Sequence, residues 1–112
     1  MAQVRFHASR LFDGQNFIDD QVLTITNGVI SAIDGNITDV DINPTGLVVP
    51  GYIDLQVNGG GGVLFNDDPS LKTLKTMMAA HAKFGTTAMM PTLITDKAEV
   101  MAQAGDAMAQ AI

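Results

Sequence analysis

Pro50-Gly51-Tyr52-Ile53-Asp54-Leu55-Gln56-Val57-Asn58-Gly59-Gly60-Gly61-Gly62 is the stretch that decides the fold. Ile53, Leu55 and Val57 alternate with Asp54, Gln56 and Asn58. On a strand the three polar groups share one face and fall where the chain leaves for a glycine-rich loop. The segment reads as a buried strand whose carboxyl end opens an active site, because α/β sheets collect their chemistry at that end.

Downstream, the period becomes that of helix, strand and helix. Asp68 can cap a helix whose first residue is Pro69, where the missing N–H has no intrahelical acceptor to lose. Leu71, Leu74, Met78 and Ala82 form its apolar stripe, and Gly85 stands at the left-handed position expected beyond its end. Thr86 to Met90 is a short β-prone run, interrupted by Pro91. Asp96 and Glu99 form a capping-box variant, and Lys97, Met101, Ala104 and Met108 continue at helical spacing. The resulting order is βαβα, as in right-handed parallel units.

Upstream, the chain is written in strands and turns. Val4, Phe6 and Ala8 alternate with polar residues, and Asp13-Gly14 marks a turn. Val22 to Thr26 and Val29 to Ile33 flank Asn27-Gly28, a strong hairpin signal because both turn residues tolerate positive φ. Ile37, Val40 and Ile42 point to one more short strand before Asn43-Pro44-Thr45-Gly46 breaks the pattern. The fold class is therefore α/β with an N-terminal antiparallel β segment over residues 1–46 and a βαβα segment over 47–112.

Composition narrows the function classes. The absence of cysteine excludes disulfides, thiolate metal sites and a cysteine nucleophile. A net charge of −6 with six Lys and Arg argues against nucleic acid as a partner. Met1-Ala2-Gln3-Val4-Arg5-Phe6 carries no long apolar signal region, and no run of ~18 apolar residues spans a membrane. A cytoplasmic location is expected.

The motifs Pro-Gly-Tyr-Ile-Asp (50 to 54), Asn-Gly-Gly-Gly-Gly-Val-Leu-Phe-Asn-Asp (58 to 67) and Gly-Thr-Thr-x-x-x-Pro-Thr-Leu-Ile-Thr (85 to 95) resemble the amidohydrolase superfamily, and within it the N-acetylglucosamine-6-phosphate deacetylase family. The resemblance is loose over the first 45 residues and close from about 48 to 96. Gln56 and Asn58 stand where most of the superfamily places two metal-ligating histidines. A neutral carboxamide is a poor transition-metal ligand beside imidazole, so one of the two superfamily metal sites should be lost.

The resemblance implies a partial (β/α)₈ barrel, its first two βα units, preceded by part of a β-sandwich. It also implies a metal-dependent hydrolase that converts N-acetylglucosamine 6-phosphate to glucosamine 6-phosphate and acetate. Such enzymes hold one divalent ion, zinc or similar, through a Glu and two His of later strands, and a later Asp moves the proton. None of those residues falls in this chain, so no metal and no catalytic residue is expected here. The family's His-Leu-Glu-Gly-Pro segment would come shortly after Ile112. Gln56 and Asn58 would floor the site beside the metal, with Asp54, Thr92 and Thr95 as supporting residues. A homo-oligomer is expected.

A barrel needs about 250 residues and this chain has 112, ending inside the amphipathic repeat Ala109-Gln110-Ala111-Ile112 without a cap. It is expected to be the N-terminal portion of a longer enzyme, inactive alone. It should also expose apolar residues, Met77, Met78, Met89, Leu93 and Met101 among them, that neighbouring barrel units would cover.

Each site residue also has a plain reading. On spacing alone Asp54 is more often a carboxylate satisfied by nearby backbone N–H groups than a catalyst, Gln56 and Asn58 also read as strand-end polar residues, and Thr92 and Thr95 as ordinary β-formers. The glycine run fails the spacing of a dinucleotide fingerprint and lacks the Gly-Lys-Ser/Thr of a P-loop, so its glycines more simply allow close backbone approach. His7 and His81 belong to no metal motif and read as packing or surface residues. Two other functions stay open: a different amidohydrolase acting on cyclic amides or dipeptides, and a non-catalytic assembly module.

Overall fold

The computed structural model describes residues 2–43 and 46–112, which divide into two compact units, Met1–Pro50 and Gly51–Ile112. Part of the predicted break at 43–46, at positions 44 and 45, lies outside the described residues.

In the first unit, β1 (Gln3–Phe12), β2 (Phe17–Thr26), β3 (Val29–Asp34) and β4 (Leu47–Val48) form one sheet in the order β3-β2-β1-β4. Local chemistry fixes both antiparallel turns. Between β1 and β2, Asp13 Oδ1 accepts the backbone N–H groups of Gln15 and Asn16 at 2.8 and 2.7 Å. Between β2 and β3, Asn27 and Gly28 take φ of +52° and +81°, the positive pair a two-residue hairpin needs.

Two expectations are corrected here. β4 pairs parallel to β1, Arg10 with Leu47 and Leu11 with Val48, so the sheet is mixed rather than purely antiparallel. Ile37, Val40 and Ile42 build no strand. Only an isolated bridge joins Phe6 to Ile42, because polar groups capture the intervening backbone. The Arg5 guanidinium donates to the carbonyls of Thr38 and Asn36, and Asp41 Oδ2 accepts the Arg5 N–H at 2.7 Å. Ala8, Leu11 and Leu23 form the unit's core, with Phe6 and Val48 packed against them.

The second unit contains β5 (Tyr52–Val57), β6 (Gly59–Gly60), β7 (Val63–Leu64), α1 (Leu71–Ala82), β8 (Thr86–Pro91) and α2 (Ala98–Ala111). β5 and β8 pair in parallel, with α1 in the connection between them. The expected βαβα order holds with one addition: the glycine run forms a small antiparallel hairpin, β6 with β7, rather than an open loop. Gly61 and Gly62 supply its turn with φ of +66° and +84°.

Both helix starts differ from expectation. The N-cap of α1 is Ser70, whose Oγ accepts the Thr73 N–H at 3.2 Å, so Pro69 precedes the cap. Asp68 instead accepts the hydroxyl of buried Thr73 at 3.0 Å. At α2 the N-cap is Lys97 without a side-chain cap bond. The predicted Asp96/Glu99 box does not form because Asp96 binds the adjacent Lys97 N–H and the side chain of Asn66. Gly85 does adopt the left-handed conformation, φ +94°.

The core joins Val57, Phe65, Leu74, Met77, Ala104 and Ala107, with Val63, Met89, Leu93 and Met108 against it. Met77 is therefore fully buried, not an uncovered residue, and of the five predicted to lie bare only Met101 is exposed. β5 is correspondingly less buried than its pattern implies: Val57 is 3% exposed, whereas Ile53 and Leu55 are 66% and 69% exposed. These two residues sit on a strand with a single neighbour in its sheet.

Phe65 is the largest fully buried side chain. Phe65→Ala should destabilise the unit by about 3 kcal/mol or more through lost transfer energy and a residual cavity. Urea titration followed by circular dichroism checks this, and an unchanged midpoint would contradict the assigned core.

Candidate functional site

The carboxyl ends of β5 and β8 lie side by side, and backbone pairing continues past the last residue of β8. Val57 pairs with Pro91, and the Thr92 N–H then donates to the Val57 carbonyl at 2.8 Å. Proline cannot donate to a ladder, so the following residue provides the bond. Asn58 completes the junction: its Nδ2 donates to the Thr92 carbonyl at 3.0 Å. Half-buried Asn58 thus ties one strand end to the other and keeps Oδ1 as its remaining acceptor.

The other predicted residues are placed differently. Asp54 is half-buried, and its Oδ1 accepts the Gln56 N–H at 3.1 Å, a contact within its own strand. Gln56 is exposed, and among the described residues its carboxamide has no hydrogen-bond partner. The register between β5 and β8 shifts between Asp54 and Val57, so three steps on β5 face two on β8 and the strict alternation of its polar face is interrupted. Thr92 meets Asn58 through its backbone carbonyl, while its hydroxyl donates to the Met90 carbonyl at 3.2 Å. Thr95 is exposed on the following loop and joins neither carboxamide.

The glycine hairpin folds back over this junction. The Phe65 N–H donates to the Asn58 carbonyl at 2.8 Å, with the Phe65 ring anchored in the core. From α1, His81 Nε2 donates to the Gly59 carbonyl at 2.9 Å, which sets its tautomer. A Cβ on Gly60 would lie 2.7 Å from His81 Nε2, and one on Gly59 would collide with the Val63 carbonyl. These two glycines are therefore sites of close approach, to an imidazole and to the facing strand. His81 is a packing residue with a specific partner, and its pairing with glycines some twenty positions upstream could not be read from helical spacing.

Asn66 likewise carries no sequence signal of its role. Its Oδ1 accepts the Ile94 N–H at 2.9 Å, and its Nδ2 donates to the Ile94 carbonyl at 2.8 Å and to Asp96 Oδ2 at 3.1 Å. The loop after β8 is thereby fastened to the segment after β7. The backbone N–H of Lys97, then the Asn66 amide, then the Lys97 charge hold the Asp96 carboxyl below its ordinary value of 3.8.

Among the described residues no three His, Asp or Glu side chains converge in a way that could hold a metal ion. Gln56 and Asn58 are neutral carboxamides, and one donor of Asn58 is engaged by Thr92. The residues present do not by themselves fit a metal cage.

No family model matches the chain. Among curated proteins it is 62% identical over 68 residues to an N-acetylgalactosamine-6-phosphate deacetylase of Shewanella sp. (strain ANA-3), a match covering 61% of this chain and 17% of that protein. It is 34% identical over 91 residues to an N-acetylglucosamine-6-phosphate deacetylase of Haemophilus influenzae, covering 76% and 24%. Among solved structures, N-acetylglucosamine-6-phosphate deacetylase from Pasteurella multocida superposes with a TM-score of 0.82 at 32% identity, over 97% of this chain and 30% of that one. A second such enzyme, from Mycobacterium smegmatis, reaches 0.86 at 22% identity and shows the fold alone. The chain spans less than a third of the length of these relatives.

The depressed Asp96 pKa makes stability acid-sensitive in a defined direction. The carboxylate contributes stability above its unfolded value near 3.8, and this is lost as pH falls through the lower folded value. Asp96→Asn should therefore flatten the acid limb of a thermal-melt series below about pH 4. An identical acid limb in both proteins would show that the carboxylate is not engaged.

Proposed function

We infer, for a chain homologous over its span to N-acetylglucosamine- and N-acetylgalactosamine-6-phosphate deacetylases, that it forms the opening portion of an enzyme hydrolysing the acetamide of an N-acetylhexosamine 6-phosphate. Water adds to the acetamide carbonyl, the C–N bond breaks, acetate departs and the amine takes up the proton. The observation that carries this reading is the joined end of β5 and β8, where Asn58 bridges to Thr92 beneath a glycine hairpin.

In this reading, β5 and β8 are the first two strands of a (β/α)₈ barrel, and the first unit is one layer of a β-sandwich. Further elements of the longer protein cover Ile53 and Leu55, which are exposed in this chain. Gln56 and Asn58 floor the site, Asp54 orients the strand through the Gln56 N–H, and Thr92 and Thr95 belong to the rim. One divalent metal ion belongs to the complete enzyme, with ligands from outside residues 1–112. When bound, such an ion polarises a carbonyl and acidifies water. The longer protein acts in the cytoplasm as a homo-oligomer. Among the described residues no helix is long and apolar enough to cross a membrane.

Notably, the 62% identity favours a second reading within the same chemistry, the galactosamine epimer as substrate. Purified full-length protein, loaded with Zn²⁺, should release acetate from N-acetylglucosamine 6-phosphate or its galacto epimer, and comparison of kcat/KM assigns the substrate. The 112-residue chain should release none. Turnover by this chain at rates near those of the full-length enzyme, or inactivity of the full-length enzyme on both sugars, overturns the reading.

A further inference from the structure

We propose that Asn66 is a positioning residue, a latch that holds the loop after β8 against the glycine hairpin and so fixes the Asn58–Thr92 junction. The proposal rests on the function proposed above, which places the reacting groups at that junction.

The geometry is specific. The Asn66 carboxamide engages both backbone polar groups of one residue, accepting from the Ile94 N–H at 2.9 Å and donating to the Ile94 carbonyl at 2.8 Å, as a neighbouring strand would. A third bond, to Asp96 Oδ2, reaches one residue short of the α2 N-cap. The segment needs this help because β8 ends at Pro91 and α2 starts at Ala98, leaving 92–97 outside any strand or helix, with Thr92 still bonded to Val57. Without an external partner the Ile94 backbone would return to water, and Thr92, two residues earlier, would lose its restraint on the C-terminal side. Its own bonds, from the Asn58 side chain to its carbonyl and from its N–H to Val57, would then have to hold it alone.

Asn66 is in turn held from the opposite side. Its neighbour Phe65 is 1% exposed and bonds to the Asn58 carbonyl. A closed circuit therefore runs from Asn58 through Phe65 and Asn66 to Ile94, and back through Thr92 to Asn58. Only carboxamide chemistry satisfies it, since the same side chain must accept from one group and donate to two. Asn66→Asp keeps the acceptor but sets a carboxylate oxygen against the Ile94 carbonyl and the Asp96 carboxylate, whereas Asn66→Ala removes every bond.

The test uses the full-length, metal-loaded protein with both N-acetylhexosamine 6-phosphates. Asn66→Ala and Asn66→Asp should lower kcat on the order of 10- to 100-fold, the scale of a misplacement near 1 Å, while KM changes less than about threefold. Adding Asp96→Asn to Asn66→Asp restores an amide–carboxylate pair and should recover at least part of that kcat. In parallel, amide hydrogen exchange should speed up at Ile94 in Asn66→Ala, with core amides such as Met77 still protected. Unchanged Ile94 exchange overturns the latch, and so does faster exchange with unaltered kcat. A parallel loss of core protection assigns Asn66 to general stability and also overturns it. If the wild-type protein cleaves neither sugar, the proposed function fails, and the Ile94 measurement decides the latch alone.

Discussion

A proline at the end of β8 imposes the constraint on which the rest of the second unit depends. Pro91 pairs with Val57 but has no N–H to offer, so the parallel ladder would end with unsatisfied groups at the point where two strand ends must stay together. Thr92 supplies the missing donor to Val57, and the Asn58 side chain supplies one to Thr92. A polar side chain thus takes over from the backbone where the sheet stops. This moves the hydrogen-bond network out of the regular ladder and into the loops, where chemistry in α/β sheets is found.

The glycine hairpin follows from the same requirement. A loop that must return over Asn58 and pass beneath an imidazole has no room for Cβ atoms at Gly59 and Gly60. Its two-residue turn at Gly61-Gly62 uses positive φ at both positions. The return brings Phe65 into the core, and the burial of that ring fixes where Asn66 emerges. Packing and polar geometry are therefore one device: the apolar anchor places the carboxamide, and the carboxamide places the following loop. Asp96, its carboxyl held down by the Lys97 N–H and Asn66, joins this loop to the start of α2.

Features carried by one or two adjacent residues were legible in the sequence. Asn27-Gly28 specifies its hairpin because both residues accept positive φ, and Gly85 marks the exit from α1 for the same reason. The parallel partnership of β5 and β8 followed from the change of hydrophobic period. What escaped depends on distant partners. Leu47–Val48 is too short to announce a strand, and its parallel pairing with β1 depends on residues over thirty positions away. Asp68 and Ser70 both look like caps, and the buried hydroxyl of Thr73 engages the first while the second caps the helix. At the site, Asn58 was recognisable from its place after the strand. Asn66 and His81 were not, since an Asn in a turn and a His on a helix carry no sign of the carbonyls they will meet.

A crystal structure of the full-length protein with Zn²⁺ and an N-acetylhexosamine 6-phosphate tests the central claim most directly. The acetamide group and the ion should lie beside the Asn58 and Gln56 carboxamides at the carboxyl end of β5, with all metal ligands drawn from outside residues 1–112 and the Asn58–Thr92 bond intact. Sugar and metal bound away from that strand end, or a ligand set that includes residues of this chain, would contradict it.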